Sequence, residues 1–121
     1  MTKRPMRLLP EGNAPAGMVP SHLTSPDAFT TGDRTELICN AFTTDDESIL
    51  TGVWECAPCR EEIDAYPVHE MMHVLEGSVT VTDADGKAET YTRGDTFFIP
   101  KGAPCTWEIT EKLRKFYMIA A

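Results

Sequence analysis

What most constrains this chain is a succession of short segments rich in β-branched and aromatic residues, each closed by turn residues. They run over Glu36–Phe42, Ile49–Cys56, Met71–Glu76, Ser78–Thr82, Ala88–Thr92, Thr96–Ile99, Cys105–Thr110 and Leu113–Ile119. Between them stand Asp83-Ala84-Asp85-Gly86, Arg93-Gly94-Asp95 and Pro100-Lys101-Gly102. The first of these is a hairpin signal. No stretch repeats its apolar residues with a helical period. About eight strands at this spacing predict an all-β, closed or sandwiched antiparallel fold, a barrel or jelly roll.

The first 32 residues are different. Five of the nine prolines fall at 5, 10, 15, 20 and 26, where each removes a backbone donor and fixes φ. This predicts an extended proline-rich N-terminal arm, 1–32, which either lies over its own domain or a partner subunit or is partly disordered. Residues 33–121 form one domain.

Residues 64–77 read Asp64-Ala-Tyr66-Pro-Val-His69-Glu70-Met-Met-His73-Val-Leu-Glu-Gly77, and residues 94–107 read Gly94-Asp-Thr-Phe-Phe-Ile-Pro100-Lys-Gly102-Ala-Pro-Cys105-Thr-Trp107. These resemble the two cupin motifs, H-x-H-x(3)-E-x(6)-G and G-x(5)-P-x-G-x(2)-H-x(3)-N. The ending from Trp107 to Tyr117 is similar to small single-domain cupins related to the cupin domains of (S)-ureidoglycine aminohydrolase. The resemblance covers about residues 50–119. It implies a small cupin-type β-barrel, a homodimer, with a ligand pocket in the barrel mouth. It also implies a metal site on the positions now held by Asp64, Tyr66, Glu70 and Cys105.

Only Glu70 keeps the family's residue type there. Asp, Tyr, Glu and Cys all bind metal when ionised, but hard oxygens with one thiolate and no imidazole select no particular metal. Four such groups would also repel one another when empty, which raises their pKa values. Two readings stay open: a divalent metal (Mn, Zn, Fe or Ni), or a metal-free pocket in which Glu70 and Tyr66 hydrogen-bond a small polar ligand. In an enzyme acting on a ureide or an amino-acid-like substrate, Glu70 would be the base or ligand and Tyr66 the acid.

Strand alternation places Glu70, Met72 and Val74 on one face and Met71, His73 and Leu75 on the other. It also groups Cys105, Trp107 and Ile109. Trp54, Met72 and Trp107 are the expected pocket walls, and Trp54, Trp107, Phe97, Phe98 and Tyr117 are expected in the core. His69 and His73 fall on the outer face, unless a bulge near Pro67 turns His69 inward. Lys112, Arg114 and Lys115 read as a solvated edge, and Arg60 as an isolated candidate anion anchor.

Cys56-Ala-Pro-Cys59 has the C-x-x-C spacing of a redox dithiol or half a zinc site. The competing expectation puts Cys56 on a strand face and Cys59 in a loop. The remaining thiols, Cys39 and Cys105, are single, and all four are expected reduced in a cytoplasm, there being no export signal.

The formal charge is −8. That argues against nucleic acid or an anionic membrane as partner and selects no substrate; the small-molecule ligand is what the resemblance implies. Ten acidic and two basic residues lie between 33 and 70, so the excess is local to the stretch that carries Asp64 and Glu70.

Overall fold

The computed structural model describes residues 3–13, 15 and 17–121. Eight strands are formed: β1 (Val19–Pro20), β2 (Glu36–Thr43), β3 (Ile49–Cys56), β4 (Cys59–Ile63), β5 (His69–Thr82), β6 (Ala88–Thr92), β7 (Thr96–Ile99) and β8 (Cys105–Ala120). All pairings are antiparallel. The fold is the all-β antiparallel barrel that the strand pattern predicts.

Two long strands organise it. The first half of β5 pairs with β7 and with the last half of β8, which in turn pairs with β3 and, through it, with β2. Their other halves pair with each other, with β6 and with β4. Both strands therefore run through both walls of the barrel. They turn where the register shifts between Val74 and Val79. Gly77 makes the turn possible: its φ is +82°, and a Cβ there would lie 1.9 Å from the Lys112 carbonyl oxygen. Only glycine allows both that conformation and that approach.

This corrects two expected strand ends. Met71–Glu76 and Ser78–Thr82 are one strand, as are Cys105–Thr110 and Leu113–Ile119. The charged residues 111 and 112 do not end β8, which runs on through them with Glu111 paired to Ser78. β4 is a strand where the sequence reading expects a loop at Cys59. Cys59, Arg60, Glu61, Glu62 and Ile63 pair with Ile109 through Cys105, so Cys59 begins a strand. The Asp83–Gly86 hairpin forms as expected, closed by Asp83 N to Lys87 O and Gly86 N to Asp83 O.

The core lies between the two walls and includes Trp54, Met72, Val74, Val79, Phe97, Trp107, Ile109, Leu113 and Tyr117. Phe97 stacks on Tyr91 at 3.9 Å between centroids. Phe98 is an exception to the expected core. It is 56% exposed, because strand alternation on the four-residue β7 sends its neighbours Phe97 and Ile99 inward.

The described part of the arm lies over its own domain. Val19 and Pro20 pair with Ile38 and Leu37, and Gly12 packs against Cys39. Arg114 reaches from β8 to the Pro10 carbonyl and holds Glu55 through two nitrogens. The main tether is Glu36, a buried residue that the sequence did not mark. Its carboxylate accepts from the Ser21 hydroxyl, the Leu23 and Thr24 backbone N–H groups and the Trp54 indole. Burial opposes its ionisation, but these hydrogen bonds outweigh that cost and hold its pKa below the ordinary glutamate range. Among the described residues no helix is long and apolar enough to cross a membrane.

Candidate functional site

A cavity of about 490 Å³ opens at one end of the barrel. Trp54 comes from β3 and Trp107 from β8, their ring centroids 6.4 Å apart and tilted by 57°. Glu61 reaches in from β4, Tyr66 from the β4–β5 loop, Glu70 from β5 and Lys115 from β8. Leu23 and Thr24 of the arm form part of the rim.

The polar centre is a buried chain of three side chains. The Tyr66 hydroxyl donates to Glu70 Oε1 at 2.7 Å. Lys115 Nζ donates to Glu70 Oε2 at 2.6 Å. Lys115 and Glu70 are only 4% and 6% exposed. The ammonium also lies 5.0 Å from the centre of the Trp54 ring and 5.1 Å from that of Trp107. Met72 Sδ sits 2.9 Å from it. A desolvated ammonium is costly, and here a carboxylate and two indole faces offset the cost. Burial and the neighbouring Glu70 carboxylate push the Tyr66 phenol far above its ordinary range, so it stays protonated as the donor.

Lys115 is the functional residue that sequence reading placed wrongly. It was expected on a solvated edge with Lys112 and Arg114. Lys112 is exposed and pairs with Asp33, and Arg114 faces the arm. Lys115 instead points inward, since β8 buries Leu113, Lys115 and Tyr117 in alternation. The signal was present: counting every second residue from Trp107 and Ile109 reaches Leu113 and Lys115.

The other candidates are distributed as follows. Trp54 and Trp107 wall the cavity. Met72 lies behind it, fully buried. Cys105 starts β8, half-buried, and burial pushes its thiol up. Asp64 is exposed at the bend after β4 and does not line the cavity. β4 alternation turns Glu61 and Ile63 inward, and the chain then leaves the wall. Glu61 is the acid that the local charge excess brings to the pocket, and burial raises its pKa. His69 and His73 stay outside: His69 accepts from Lys101 N–H and stacks on Phe98, and His73 bonds Thr96. Arg60 is exposed and pairs with Glu62.

The residues that the cupin resemblance assigns to a metal do not fit one. Glu70 has both oxygens engaged by Tyr66 and Lys115. Tyr66 is held neutral, Asp64 is outside, and the Cys105 thiol resists ionisation. Among the described residues no three His, Cys, Asp or Glu side chains gather as a ligand set. Cys56 and Cys59 are both fully buried and reduced. The neighbouring Cys59 thiol and burial push the Cys56 thiol up, and Thr24 Oγ1 lies 3.6 Å from Cys56 Sγ.

The EutQ-like cupin domain profile matches residues 43–117. Among solved structures, a DUF861-family protein of unknown function from Pseudomonas syringae pv. tomato is 28% identical with a TM-score of 0.81, over 93% of this chain and 46% of that one. A protein described as ethanolamine utilisation protein Q from Salmonella typhimurium is 23% identical (TM-score 0.60, 71% of this chain, 69% of that chain). The EutQ protein of Clostridium difficile is 21% identical (TM-score 0.59, 83% and 80%). These two share the fold. The chain spans less than half the length of the Pseudomonas relative. No curated protein matches the sequence. The match to the profile covers more than half of the chain, from the last residue of β2 through β3 to β7 and most of β8, and the chain belongs to the EutQ-like cupin domain family.

Proposed function

We propose that the barrel binds a small, uncharged, partly apolar molecule without a metal, and that Lys115 is its polar anchor. One observation carries this reading: a lysine ammonium stands on the glutamate that the cupin motif would assign to a metal. Small-molecule sites are mostly apolar with a few placed polar groups, and this one has two indoles, one ion pair and one further acid.

The charge balance narrows the ligand class. Glu70 and Lys115 neutralise each other. Glu61 has a raised pKa because burial disfavours its anion. The ion pair therefore brings no net charge to the cavity, and among the described residues Glu61 is the one further carboxyl on its wall. The cavity does have hydrogen-bonding capacity. Lys115 carries three N–H donors, and it donates to Glu70 and the weak acceptor Met72 Sδ. Glu61 adds a carboxyl on the opposite wall. Amides, ureas and lactams present an acceptor for the first and a donor for the second. Ureides fall in this class, in keeping with the resemblance to ureidoglycine-type cupins.

Glu61 also favours a second reading, an acid–base enzyme on the same ligand class. A carboxyl with a raised pKa inside a cavity is a general acid–base candidate.

The test is a titration with a panel of uncharged ureas, amides and lactams, beside carboxylates and amines of matching size. Trp54 and Trp107 are the only tryptophans in the chain, so intrinsic emission reports the pocket directly. At least one uncharged member should shift the emission saturably. Its charged counterparts and the Lys115→Met/Glu70→Gln variant should bind at least about tenfold more weakly. No response from any member, or equal binding by the variant, would overturn the reading. Turnover of a bound member, lost in Glu61→Gln with binding kept, would establish the enzyme.

A further inference from the structure

Residues 21–28 of the arm run past the rim of the cavity between two attachments to the barrel. Before them, β1 pairs with β2. After them, Phe29 bridges to Cys59 and Thr30 N–H donates to the Pro58 carbonyl. Within the segment, Ser21 and Thr24 are buried and the residues from His22 to Asp27 are otherwise exposed. Leu23 and Thr24 line the cavity.

One side chain gathers the hydrogen bonds that hold the segment down. Glu36 Oε2 accepts from the Ser21 hydroxyl at 2.6 Å and from Leu23 N–H at 3.0 Å, and Oε1 accepts from Thr24 N–H at 2.9 Å. The same Oε2 accepts from the Trp54 indole at 3.0 Å. Trp54 walls the cavity and faces the Lys115 ammonium. A single carboxylate therefore joins the segment to the wall against which a ligand would lie. Segments with few buried contacts open locally for much less free energy than unfolding requires, and lids of this kind close over bound molecules.

Leu23 is 75% exposed although it lines the cavity. Beside the polar centre, the lining includes Ile38, Ile63, Val68 and Ile119. A leucine in water next to apolar lining is stabilised by whatever apolar group covers it. Resting on the pocket proposed above, we infer that residues 21–28 are its lid, that Leu23 folds onto the bound molecule, and that Leu23 selects ligands with an apolar group at the end away from Lys115. An N-alkyl urea has this form. Its carbonyl accepts from Lys115, and its alkyl chain lies under Leu23.

Methylurea and n-butylurea at millimolar concentration are the probes, titrated by tryptophan emission into the wild type and Leu23→Ala. The variant changes an exposed side chain and keeps the barrel. Butylurea should bind the wild type more tightly than methylurea does, and Leu23→Ala should weaken butylurea at least about threefold and methylurea by less than about twofold. Amide exchange followed by NMR in the wild type reads the lid itself. Butylurea at about ten times its Kd should slow the Leu23 and Thr24 amides about tenfold, because a molecule held under the closed lid must leave before the lid opens. The Gly86 amide, in the distant hairpin turn, should not change. Equal effects of Leu23→Ala on the two ureas, or bound butylurea that leaves Leu23 and Thr24 exchange unchanged, overturns the lid and leaves the pocket standing. A wild type that binds neither urea nor any other uncharged member of the panel overturns the pocket, and the lid with it.

Discussion

Replacing Lys115 with methionine removes an ammonium and keeps most of the side-chain volume. Glu70 is then left as a buried carboxylate whose remaining partner is the Tyr66 hydroxyl. Both members of the pair are almost fully buried, so solvent screens little of the loss. Breaking a buried ion pair from one side costs about 3–5 kcal/mol, against a total stability of about 5–15 kcal/mol for a domain of this kind. Glu70→Gln should cost less, about 1.5–3 kcal/mol, because its amide oxygen still accepts from Lys115 and the two indoles still face the cation. The double variant buries neither charge and should lie within about 2 kcal/mol of the wild type. The coupling energy of the cycle is then at least about 2 kcal/mol. Urea unfolding followed by tryptophan emission measures all four proteins. With a slope of about 2 kcal/mol/M, the Lys115→Met midpoint should fall by about 2 M. A fall worth less than about 1 kcal/mol, or single effects that simply add, would refute the buried pair.

Glu36→Gln should cost about 2–3 kcal/mol, since it weakens charge-assisted hydrogen bonds that tie the arm to the barrel, and protease nicking between residues 21 and 35 would report the loosened arm. The Glu36 pKa is lowered in the fold, so its contribution is present at neutral pH and disappears as pH falls from the ordinary glutamate range through the lower folded value; acid titration of the variant should lack that portion of the wild type's loss. Gly77→Ala should cost about 3 kcal/mol or more in urea unfolding, combining a left-handed backbone with a clash against the Lys112 carbonyl; a neutral effect would contradict the β5 turn. Cys56 and Cys59 should react with a thiol reagent only on unfolding, while half-buried Cys105 reacts first; rapid labelling of the pair in the native protein would show an open site instead.

Most strand positions were legible because the inward residues are β-branched or aromatic and the turns carry glycine, proline or aspartate. The exceptions have definite causes. β4 was hidden because three of its five residues are Arg or Glu, types that disfavour strands in isolation, and its place is decided by pairing with β8. The breaks read at residues 77 and 111–112 lie where the register shifts inside continuous strands, and a local pattern does not separate such a shift from an end. Of the candidate site, Glu70, Tyr66, Trp54 and Trp107 were reached through the motif spacing and alternation. Lys115 was missed because a basic residue between Arg114 and Phe116 suggests a surface by composition, whereas strand parity carried through the shift puts it inside. Glu36 was missed because its partners come from the arm, and nothing in the order of residues shows that the arm folds back.

The most direct test is side-chain nitrogen NMR of protein labelled at lysine. Lys115 should give a slowly exchanging ammonium signal with cross-peaks to the ring protons of both Trp54 and Trp107, and that signal should move when a binding member of the uncharged panel saturates the pocket. A Lys115 that exchanges as freely as surface lysines, or shows no contact with either indole, would contradict a barrel whose polar centre is its own ammonium.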